Sequence, residues 1–374
     1  MAIQVWDYRA EYEAEREEIL AAVDQVMRSG RLILGESVRS LERELGAYCG
    51  VRHGVGVNSG TDALMLALRA LGLQAGDEVI TTSNTAIPTV SAIVSAGGTP
   101  RFVDIEADTY LMDASQLEAA MSIHTRCIIP VHLFGQCVDM DAVQAAADRR
   151  GIAILEDCAQ STGAEYRGRR AGSMSQVSAF SFYPTKILGA YGDGGMVLTS
   201  DDALAARLRR LRVYGTDRIY YAEEHGHNSR LDEVQAEILR RKLRRIAGYI
   251  DRRRALARRY DEQLRGSGLT LPKTRPENRH VYYLYVVRHP ARDAIVEGLA
   301  ARDIIAGIHY RWPIHTMRGY AHLGYGEGSL PVTEQAAREI FSLPMYPSLT
   351  DAEQDRVCGA LRDIMPGLGV QSSI

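Results

Sequence analysis

The sequence lacks several features that would place a protein in a special class. It has no apolar run that approaches the roughly 20 residues needed to span a membrane. Its acidic N-terminal stretch also has no apolar core of the kind found in secretory signals. The formal net charge of -3 gives no overall case for nucleic acid or an acidic membrane surface as a partner. We therefore expect a cytoplasmic protein that binds neither a membrane nor a nucleic acid.

Cysteine is scarce, and its pattern indicates neither disulfides nor a metal site. The cysteines are five in number and scattered: Cys49, Cys127, Cys137, Cys158 and Cys358. Free thiols of this kind fit a reducing cytoplasm. The ten histidines have no cysteine or carboxylate companions at metal-ligand spacing, so no bound metal is expected.

Lysine is the scarcest basic residue, and one lysine has unusual surroundings. Only three of the 44 basic residues are lysines, namely Lys186, Lys242 and Lys273. Lys186 is the one charged residue in the stretch 177–192, which alternates like a strand before it and contains glycines after it. An amine in apolar surroundings loses its proton more readily and attacks carbonyl groups, whereas arginine cannot. Lys186 is thus a candidate Schiff-base lysine; the alternative is a lysine at a strand end whose amine reaches solvent.

Strand-like and helix-like stretches alternate along most of the chain, which predicts a sheet of mainly parallel strands covered by helices. A basic stretch at 240–259 favours a long solvated helix, with a nucleic-acid face as the alternative. A smaller α/β unit follows, with strands predicted at 282–287 and 305–310 and helices at 292–301, 333–341 and 351–365. We therefore predict an α/β protein with a large domain, 1–245, and a smaller C-terminal domain, 246–374, joined by a helix at about 246–265.

A strand, a glycine turn and a helix follow one another between 53 and 71. Backbone N–H groups and a helix N-terminus converge at such a turn, here at Gly60, and can hold a phosphate. The glycines of this stretch imitate a dinucleotide-binding fingerprint. However, Gly54 and Gly56 lie inside the strand, and the acidic pair Asp77-Glu78 precedes the second strand instead of following it. The stretch therefore predicts a phosphate site without a dinucleotide.

An apolar strand ends at Asp157, and side chains at the ends of parallel strands point into the ligand crevice. An aspartate there can hold a protonated ring nitrogen, with Gln160 one turn further on; the alternative is a helix cap. A phosphate turn, this aspartate and Lys186, 29 positions after it, together match the needs of pyridoxal phosphate.

The chain resembles the DegT/StrS family of pyridoxal-phosphate-dependent sugar aminotransferases, which have the fold-type I architecture of aspartate aminotransferase. The resemblance covers roughly residues 29–365. It is carried by motifs in the family's order: NSGTDAL (Asn58–Leu64), EDCAQSTGA (Glu156–Ala164), SFYPTKILGAYGDGG (Ser181–Gly195), GHNSRLDEVQAEIL (Gly226–Leu239) and IHYRWPIH (Ile308–His315).

The resemblance implies a role for individual residues. Lys186 would bind the cofactor aldehyde as a Schiff base, and Asp157 would pair with the pyridine nitrogen. Further contacts would come from Gln160 to the ring hydroxyl, from Gly60, Thr61 and Ser181 to the phosphate, and from Tyr183, His309 and Tyr310 to the sugar nucleotide. Asn228 would reach the phosphate of the neighbouring subunit, which implies an obligate homodimer with shared sites. Many relatives stack an aromatic residue on the ring where this chain has Ala86.

The resemblance also implies a reaction. The enzyme would move an amino group from L-glutamate to a nucleotide-linked keto sugar, for the biosynthesis of deoxyamino sugars of natural products such as antibiotics. Family dehydratases carry histidine in place of the lysine, so Lys186 favours transamination. The stretch after Lys186 is similar to the branch that aminates carbon 3 of dTDP-linked 3-keto-6-deoxyhexoses. One alternative is amination of a dTDP- or UDP-linked 4-keto sugar. Another, from a different class, is a catalytically silent, cofactor-binding regulatory or scaffold protein.

Overall fold

The computed structural model describes residues 2–368; residues 1 and 369–374 of the two predicted domains lie outside the described residues. The α-helices in this range are α1 (Tyr8–Ser29), α2 (Glu36–Cys49), α3 (Gly60–Ala70), α4 (Ile87–Ser95), α5 (Leu117–Ala120), α6 (Met140–Asp148), α7 (Asp202–Leu211), α8 (Glu233–Leu243), α9 (Ile246–Gln263), α10 (Arg292–Ala300), α11 (Pro331–Glu339) and α12 (Asp351–Ile364). The strands are β1 (His53–Val57), β2 (Glu78–Thr82), β3 (Thr99–Val103), β4 (Thr125–Ile128), β5 (Ala153–Asp157), β6 (Glu165–Tyr166), β7 (Arg169–Arg170), β8 (Val177–Ser181), β9 (Gly195–Thr199), β10 (Thr216–Arg218), β11 (Tyr221–Ala222), β12 (Asn278–Arg279), β13 (Tyr285–Arg288) and β14 (Ile340–Leu343).

A seven-stranded sheet forms the centre of the larger unit, in the order β1-β9-β8-β5-β4-β2-β3. Neighbouring strands are parallel except at β9, which is antiparallel to both β1 and β8. A loop, and no helix, connects β8 to β9, and such a direct return joins antiparallel strands. The predicted α/β fold is therefore confirmed, with one reversed strand that the alternation of elements did not reveal.

The strands of this sheet are buried, and helices α2, α3, α4, α6 and α7 pack against them. Ser59 caps the N-terminus of α3, since its side chain accepts the Asp62 N–H at 3.1 Å. A serine in this position satisfies one of the free N–H groups of the first helical turn. The free cysteines Cys49, Cys127, Cys137, Cys158 and Cys358 are all buried.

A second hydrophobic core lies among α9, α10, α12 and the antiparallel pair β13–β14. Ile3 belongs to this core, because the N-terminal segment runs beside residues 303–305. The Ile3 N–H donates to the Asp303 carbonyl and the Ile305 N–H donates to the Ile3 carbonyl, both at 2.8 Å. The start of the chain thus packs on the smaller core, and the division of the chain at residue 245 stays a prediction.

Two elements of the smaller unit differ from the predicted ones. Residues 305–310 were expected to form a strand, but this part of the chain makes only isolated bridges, at Ile304 and Gly307. Residues 340 and 341 were expected to end a helix, yet Ile340–Leu343 is strand β14, paired with β13. A short apolar run such as this fits a buried strand and a buried helix end equally well, so its period does not decide between them.

Helix α9 is observed where the joining helix was expected. Its basic side chains pair with acidic ones, for example Arg252 with Asp351 at 2.9 Å and Arg259 with Asp355 at 2.5 Å. These pairs favour a solvated helix over a nucleic-acid face. However, the stretch 240–259 is not one long helix, because α8 ends at Leu243 and α9 begins at Ile246. Among residues 2–368, no helix is both long enough and apolar enough to cross a membrane.

Candidate active site

The carboxyl ends of the parallel strands meet at one edge of the sheet, which is where α/β proteins bind ligands. The end of β5 carries Asp157, and the end of β8 carries Ser181 and the loop 182–194. The turn after β1 leads into α3 at Gly60. Since β5 is next to β8 and β1 is two strands beyond β8, the three predicted parts of the site share one edge.

Lys186 lies in the loop between β8 and β9, whose two ends are held together. The Phe182 N–H donates to the Gly194 carbonyl, and the Lys186 N–H donates to the Tyr183 carbonyl, both at 2.8 Å. The Lys186 side chain is half-buried, and its Nζ lies 4.6 Å from the centroid of the Tyr283 ring. The loop therefore presents the amine at the edge of the sheet on a fixed turn.

The other two lysines have acidic partners. Lys242 pairs with Glu11 at 2.5 Å, and Lys273 pairs with Asp108. Within residues 2–368, no ion pair joins Lys186 to a carboxylate. Lys186, which has no charged neighbour in the sequence stretch 177–192, thus also has no carboxylate ion pair in the described structure.

Asp157 is a buried carboxylate, 3% exposed, at the end of β5. Its Oδ2 accepts the Thr89 hydroxyl at 2.8 Å, and its Oδ1 accepts the Ala159 N–H at 3.1 Å. Burial raises the pKa of the Asp157 carboxyl, against the opposing effect of these hydrogen bonds and of the positive charge of Lys186. The site therefore holds a buried carboxylate that a cationic ligand group would stabilise.

Gln160 connects two segments that the sequence assigns to the site. Its Oε1 accepts the Phe134 N–H at 2.8 Å, and its Nε2 donates to the Tyr310 hydroxyl at 2.9 Å. Both acceptor and donor of the amide are thus fixed, which defines its orientation. Gln160 and Tyr310 are brought together as the resemblance predicted for two residues of one site.

His309 lies next to Tyr310 and close to the lysine. Its Nδ1 is 2.9 Å from the Ser342 hydroxyl, and its ring meets the Trp6 ring edge-on with centroids 5.7 Å apart. Burial and the charge of Lys186 lower the pKa of His309 to about 4. The imidazole is therefore neutral at neutral pH.

Gly60, Thr61 and Ser181 form a narrow cup at the start of α3. A Cβ on Gly60 would lie 2.6 Å from the Ser181 Cβ, and a Cβ on Gly195 would lie 2.8 Å from the Gly60 nitrogen. Glycine is therefore required at both places. Ser59 already satisfies the Asp62 and Ala63 N–H groups, and the first N–H groups of a helix have no partner within it. Among residues 2–368, no backbone carbonyl or side chain accepts the N–H groups of Gly60 and Thr61, which are therefore available to an anion.

The side chains of Asn228 and Tyr183 are exposed near this cup, although the Tyr183 N–H donates to the Ser181 hydroxyl at 3.3 Å. Tyr183 is 52% exposed, and Asn228 is exposed beside its buried neighbour Ser229. Ser229 is tied to the start of α3, since its hydroxyl donates to Asp62 at 2.6 Å. In the described part of the chain, no hydrogen bond joins the Asn228 side chain to Gly60, Thr61 or Ser181. The Asn228 amide thus faces outward from a segment that borders the cup.

The sequence reasoning missed several residues that contact the site. Thr89 holds Asp157, and its own hydroxyl lies 3.0 Å from that of Thr85. Thr89 lies in the first turn of α4, whereas Thr85 precedes the helix, so no helical spacing in the sequence indicates the pair. Ala86, where relatives have an aromatic residue, is the residue that precedes α4. Tyr283 and Trp6 had no local signal, because they come from distant parts of the chain.

One close group of potential metal ligands occurs among the described residues: His132, Glu156 and Cys158. Glu156 is fully buried and accepts hydrogen bonds from His132 Nε2, from the Gly172 and Met174 N–H groups and from the Ser175 hydroxyl. His132 Nδ1 accepts the Val138 N–H at 3.2 Å. Because the ligand atoms of Glu156 and His132 are already engaged in these hydrogen bonds, we assign no metal to the group.

The residues present fit pyridoxal phosphate. The cup at α3 offers unpaired N–H groups and the positive end of a helix dipole to a phosphate. Asp157 is a buried carboxylate whose raised pKa a pyridinium N–H would bring down. Lys186 is half-buried and has no carboxylate ion pair in the described range, as a lysine that must react with an aldehyde requires.

Comparison with known proteins gives the same assignment. The sequence profile of the DegT/DnrJ/EryC1/StrS aminotransferase family matches residues 13–362. The dTDP-3-amino-3,4,6-trideoxy-alpha-D-glucose transaminase of Micromonospora megalomicea subsp. nigra is 56% identical over 374 residues, covering 98% of this chain and 100% of its own. The chain belongs to this family.

Two further relatives show the range of names in the family. The Pleiotropic regulatory protein of Geobacillus stearothermophilus is 43% identical over 360 residues, covering 96% of this chain and 97% of its own. The crystal structure of S. venezuelae DesV in complex with a ketimine intermediate is 46% identical, covers 97% of this chain and 98% of its own, and superposes with a TM-score of 0.95. The predicted family and fold are thus confirmed, and the protein is an aminotransferase.

Proposed function

We propose that this aminotransferase moves an amino group from L-glutamate to carbon 3 of a dTDP-linked 3-keto-6-deoxyhexose, with pyridoxal 5′-phosphate as its cofactor. The observation that carries the proposal is the 56% identity, over 98% of the chain, to a transaminase named for a dTDP-3-amino sugar. The retained Lys186 in its family motif supports transamination over dehydration. A pathway to deoxyamino sugars of natural products, in the cytoplasm, fits the buried free thiols.

The residues of the site have complementary roles in this proposal. Bound pyridoxal phosphate supplies an electron sink that lets the carbon beside the substrate nitrogen lose a proton. Lys186 binds the cofactor and, once free, carries that proton as general base and acid. Asp157 keeps a negative charge beside the ring nitrogen. The cup of Gly60, Thr61 and Ser181 binds the phosphate, and Gln160 orients the ring.

The sugar side of the site has its own residues. Tyr183 is largely exposed in the lysine loop and is available to a substrate. Tyr310 is held by Gln160, so its hydroxyl can still donate one hydrogen bond. His309 is neutral, and can therefore accept a hydrogen bond from a sugar hydroxyl without repelling the protonated amine of Lys186.

A homodimer with shared sites completes the proposal. Asn228 faces outward from a segment that borders the cup, as expected of a residue that serves a neighbouring subunit. Two large side chains at the turn of the hairpin β10–β11 are also exposed to solvent: Ile219 is 91% and Tyr220 is 99% exposed. Apolar and aromatic groups in such a position are typical of surfaces that bind a partner.

The test is to supply 3-keto and 4-keto dTDP-6-deoxyhexoses separately with glutamate and to locate the new amine by NMR. We expect turnover of the 3-keto sugar and an amine at carbon 3. Turnover of the 4-keto sugar alone would overturn the position while leaving the transaminase intact. The name of the Geobacillus relative also motivates a separate test of the regulatory alternative. Glutamate should convert the cofactor spectrum of an enzyme and leave that of a scaffold unchanged.

A further inference from the structure

Tyr283 is the aromatic residue in contact with the reactive amine. Its ring is buried, 5% exposed, and the Lys186 Nζ lies 4.6 Å from the ring centroid. This distance is within the range in which a cation is attracted by the face of a tyrosine ring. Within residues 2–368, no carboxylate forms an ion pair with Lys186. Asp157 and His309 also face the amine, since its charge acts on both: burial raises the pKa of Asp157 against the charge of Lys186, and burial and that charge lower the pKa of His309. The Tyr283 ring is the aromatic face over which the ammonium lies.

Tyr283 is held by hydrogen bonds at its side-chain hydroxyl and at its backbone carbonyl. Its hydroxyl is 2.9 Å from the hydroxyl of Thr185, the residue before the lysine. Its backbone carbonyl accepts a hydrogen bond at 3.1 Å from Arg253 of α9, which also binds the carbonyls of Tyr282 and Met345. Tyr283 therefore connects the joining helix of the smaller unit to the lysine loop of the larger one.

We propose that Tyr283 is a positioning residue for Lys186. Its ring face holds the protonated amine in place whenever the lysine is free of the cofactor, and the Thr185 hydroxyl holds the ring in the required plane. The proposal rests on the proposed function only in that Lys186 is the reacting group. Without the ring, the ammonium loses part of its stabilisation, so the amine is deprotonated at lower pH and its position is less defined.

The test measures the charge state of Lys186 directly. Full-length enzyme loaded with pyridoxamine 5′-phosphate, in which the lysine is free, is labelled with acetic anhydride across a pH range. Peptide mass spectrometry then gives the labelling midpoint of Lys186, with Lys273 as an internal reference. We expect Tyr283→Leu to lower the Lys186 midpoint by about 0.5–1 pH unit and to lower kcat more than it raises KM.

Matched variants separate the effect of losing the Tyr283 ring from the effects of losing its hydroxyl, its volume or a neighbouring ring. Tyr283→Phe keeps the ring face and loses only the hydrogen bond to Thr185, so its midpoint should stay closer to that of the unchanged enzyme than the midpoint of Tyr283→Leu. Tyr282→Leu removes the neighbouring ring, which stacks on His280 with centroids 4.0 Å apart, and should leave Lys186 unchanged. Tyr283→Met fills the space without a ring and replaces the Leu variant if that variant melts too low.

Two results would overturn the proposal: an unchanged midpoint in a folded Leu or Met variant, or an equal shift in the Phe variant. Neither depends on the sugar substrate, because no turnover is involved in the labelling. A failure of the proposed function would appear instead as absent amination of the keto sugars, with the labelling result unaffected.

Discussion

At the scale of single residues, Lys186 differs from the other lysines in what surrounds it. Lys242 and Lys273 are bound to carboxylates, while Lys186 meets a tyrosine ring. Arginine occupies nearly every other basic position of the chain, but a guanidinium cannot lose its proton and attack a carbonyl carbon. Lys186 therefore supplies the amine that can lose its proton and attack a carbonyl carbon.

Borohydride should fix the cofactor covalently to Lys186. Lys186→Ala should keep cofactor through the phosphate cup, yet lose on the order of 10²-fold to 10⁴-fold in kcat, since the general base is gone. Lys186→Arg is the matched control that keeps the charge, and it should be as inactive as the alanine variant. Mass spectrometry of the reduced enzyme checks the attachment, and recovery of the cofactor on Lys242 or Lys273 would refute it.

The buried His280 is expected to account for part of the loss of folding stability at low pH. Burial and the charge of Arg254 lower its pKa to about 3, whereas an unfolded histidine binds a proton near pH 6.5. The unfolded chain thus holds more protons as pH falls from about 6.5 to 3, so the free energy of unfolding decreases over that window.

We expect His280→Asn to reduce this loss by on the order of 2–3 kcal/mol between pH 6.5 and 4. The asparagine oxygen can still accept the Tyr282 N–H that His280 Nδ1 accepts at 2.8 Å. Urea unfolding at several pH values is the measurement. A residual slope is expected from His309, and the exposed His322, changed to asparagine, should have no effect. An unchanged slope in His280→Asn would contradict the prediction.

At the scale of elements, α2 depends on a side chain of another helix. Its N-terminus follows Gly35, which has no capping side chain. The buried Glu233, from α8, accepts the Ser37 and Val38 N–H groups, both at 2.9 Å. A carboxylate in this place satisfies two free N–H groups and interacts favourably with the helix dipole.

Glu233→Ala should therefore destabilise the protein by about 2–4 kcal/mol, because two buried N–H groups lose their acceptor. Asp201 is the matched control: it caps α7 through the Ala203 and Leu204 N–H groups at an exposed position, where alanine should cost only about 1 kcal/mol. Denaturant midpoints measured side by side give the comparison. Equal losses in the two variants would mean that burial of the Glu233 cap adds nothing.

The elements also show where sequence reasoning succeeds. Helix α9 was predicted at about 246–265 and spans Ile246–Gln263, so it was placed to within a few residues. The segment 305–310 is apolar enough for a strand, but the adjoining Ile304 pairs with Ile3 at the far end of the chain. Strand β14 likewise exists because β13 lies beside it. Such pairings belong to the fold and leave no local pattern.

At the scale of the whole molecule, the proposed shared site makes a prediction about mixed dimers. Lys186→Ala and Asn228→Ala chains should each be inactive or severely impaired alone. If Asn228 serves the opposite subunit, a hybrid has one intact site. In a random mixture half of the dimers are hybrids, so activity should recover to about a quarter of the unchanged enzyme. No recovery in proven hybrids would mean that Asn228 acts within its own chain or plays no part.

Of the candidate site, the residues carried by motifs were predictable, and those supplied by distant contacts were not. Asp157, Lys186 and the Gly60 turn stand next to strand ends, where side chains must face the crevice. Tyr283 and Trp6 reach the site only because the smaller unit folds back onto the sheet edge, and this arrangement has no signature in their own neighbourhoods.

The buried cysteines give the protein a property useful for experiments. Burial raises the pKa of every thiol in the chain, to about 12 for Cys49, Cys127 and Cys358. Thiol dyes react with the thiolate, so the natural cysteines will stay unlabelled at neutral pH. One cysteine introduced at Ile123, which is 80% exposed, would then accept a single dye per chain. Donor-labelled and acceptor-labelled batches would report the exchange of subunits in real time by energy transfer.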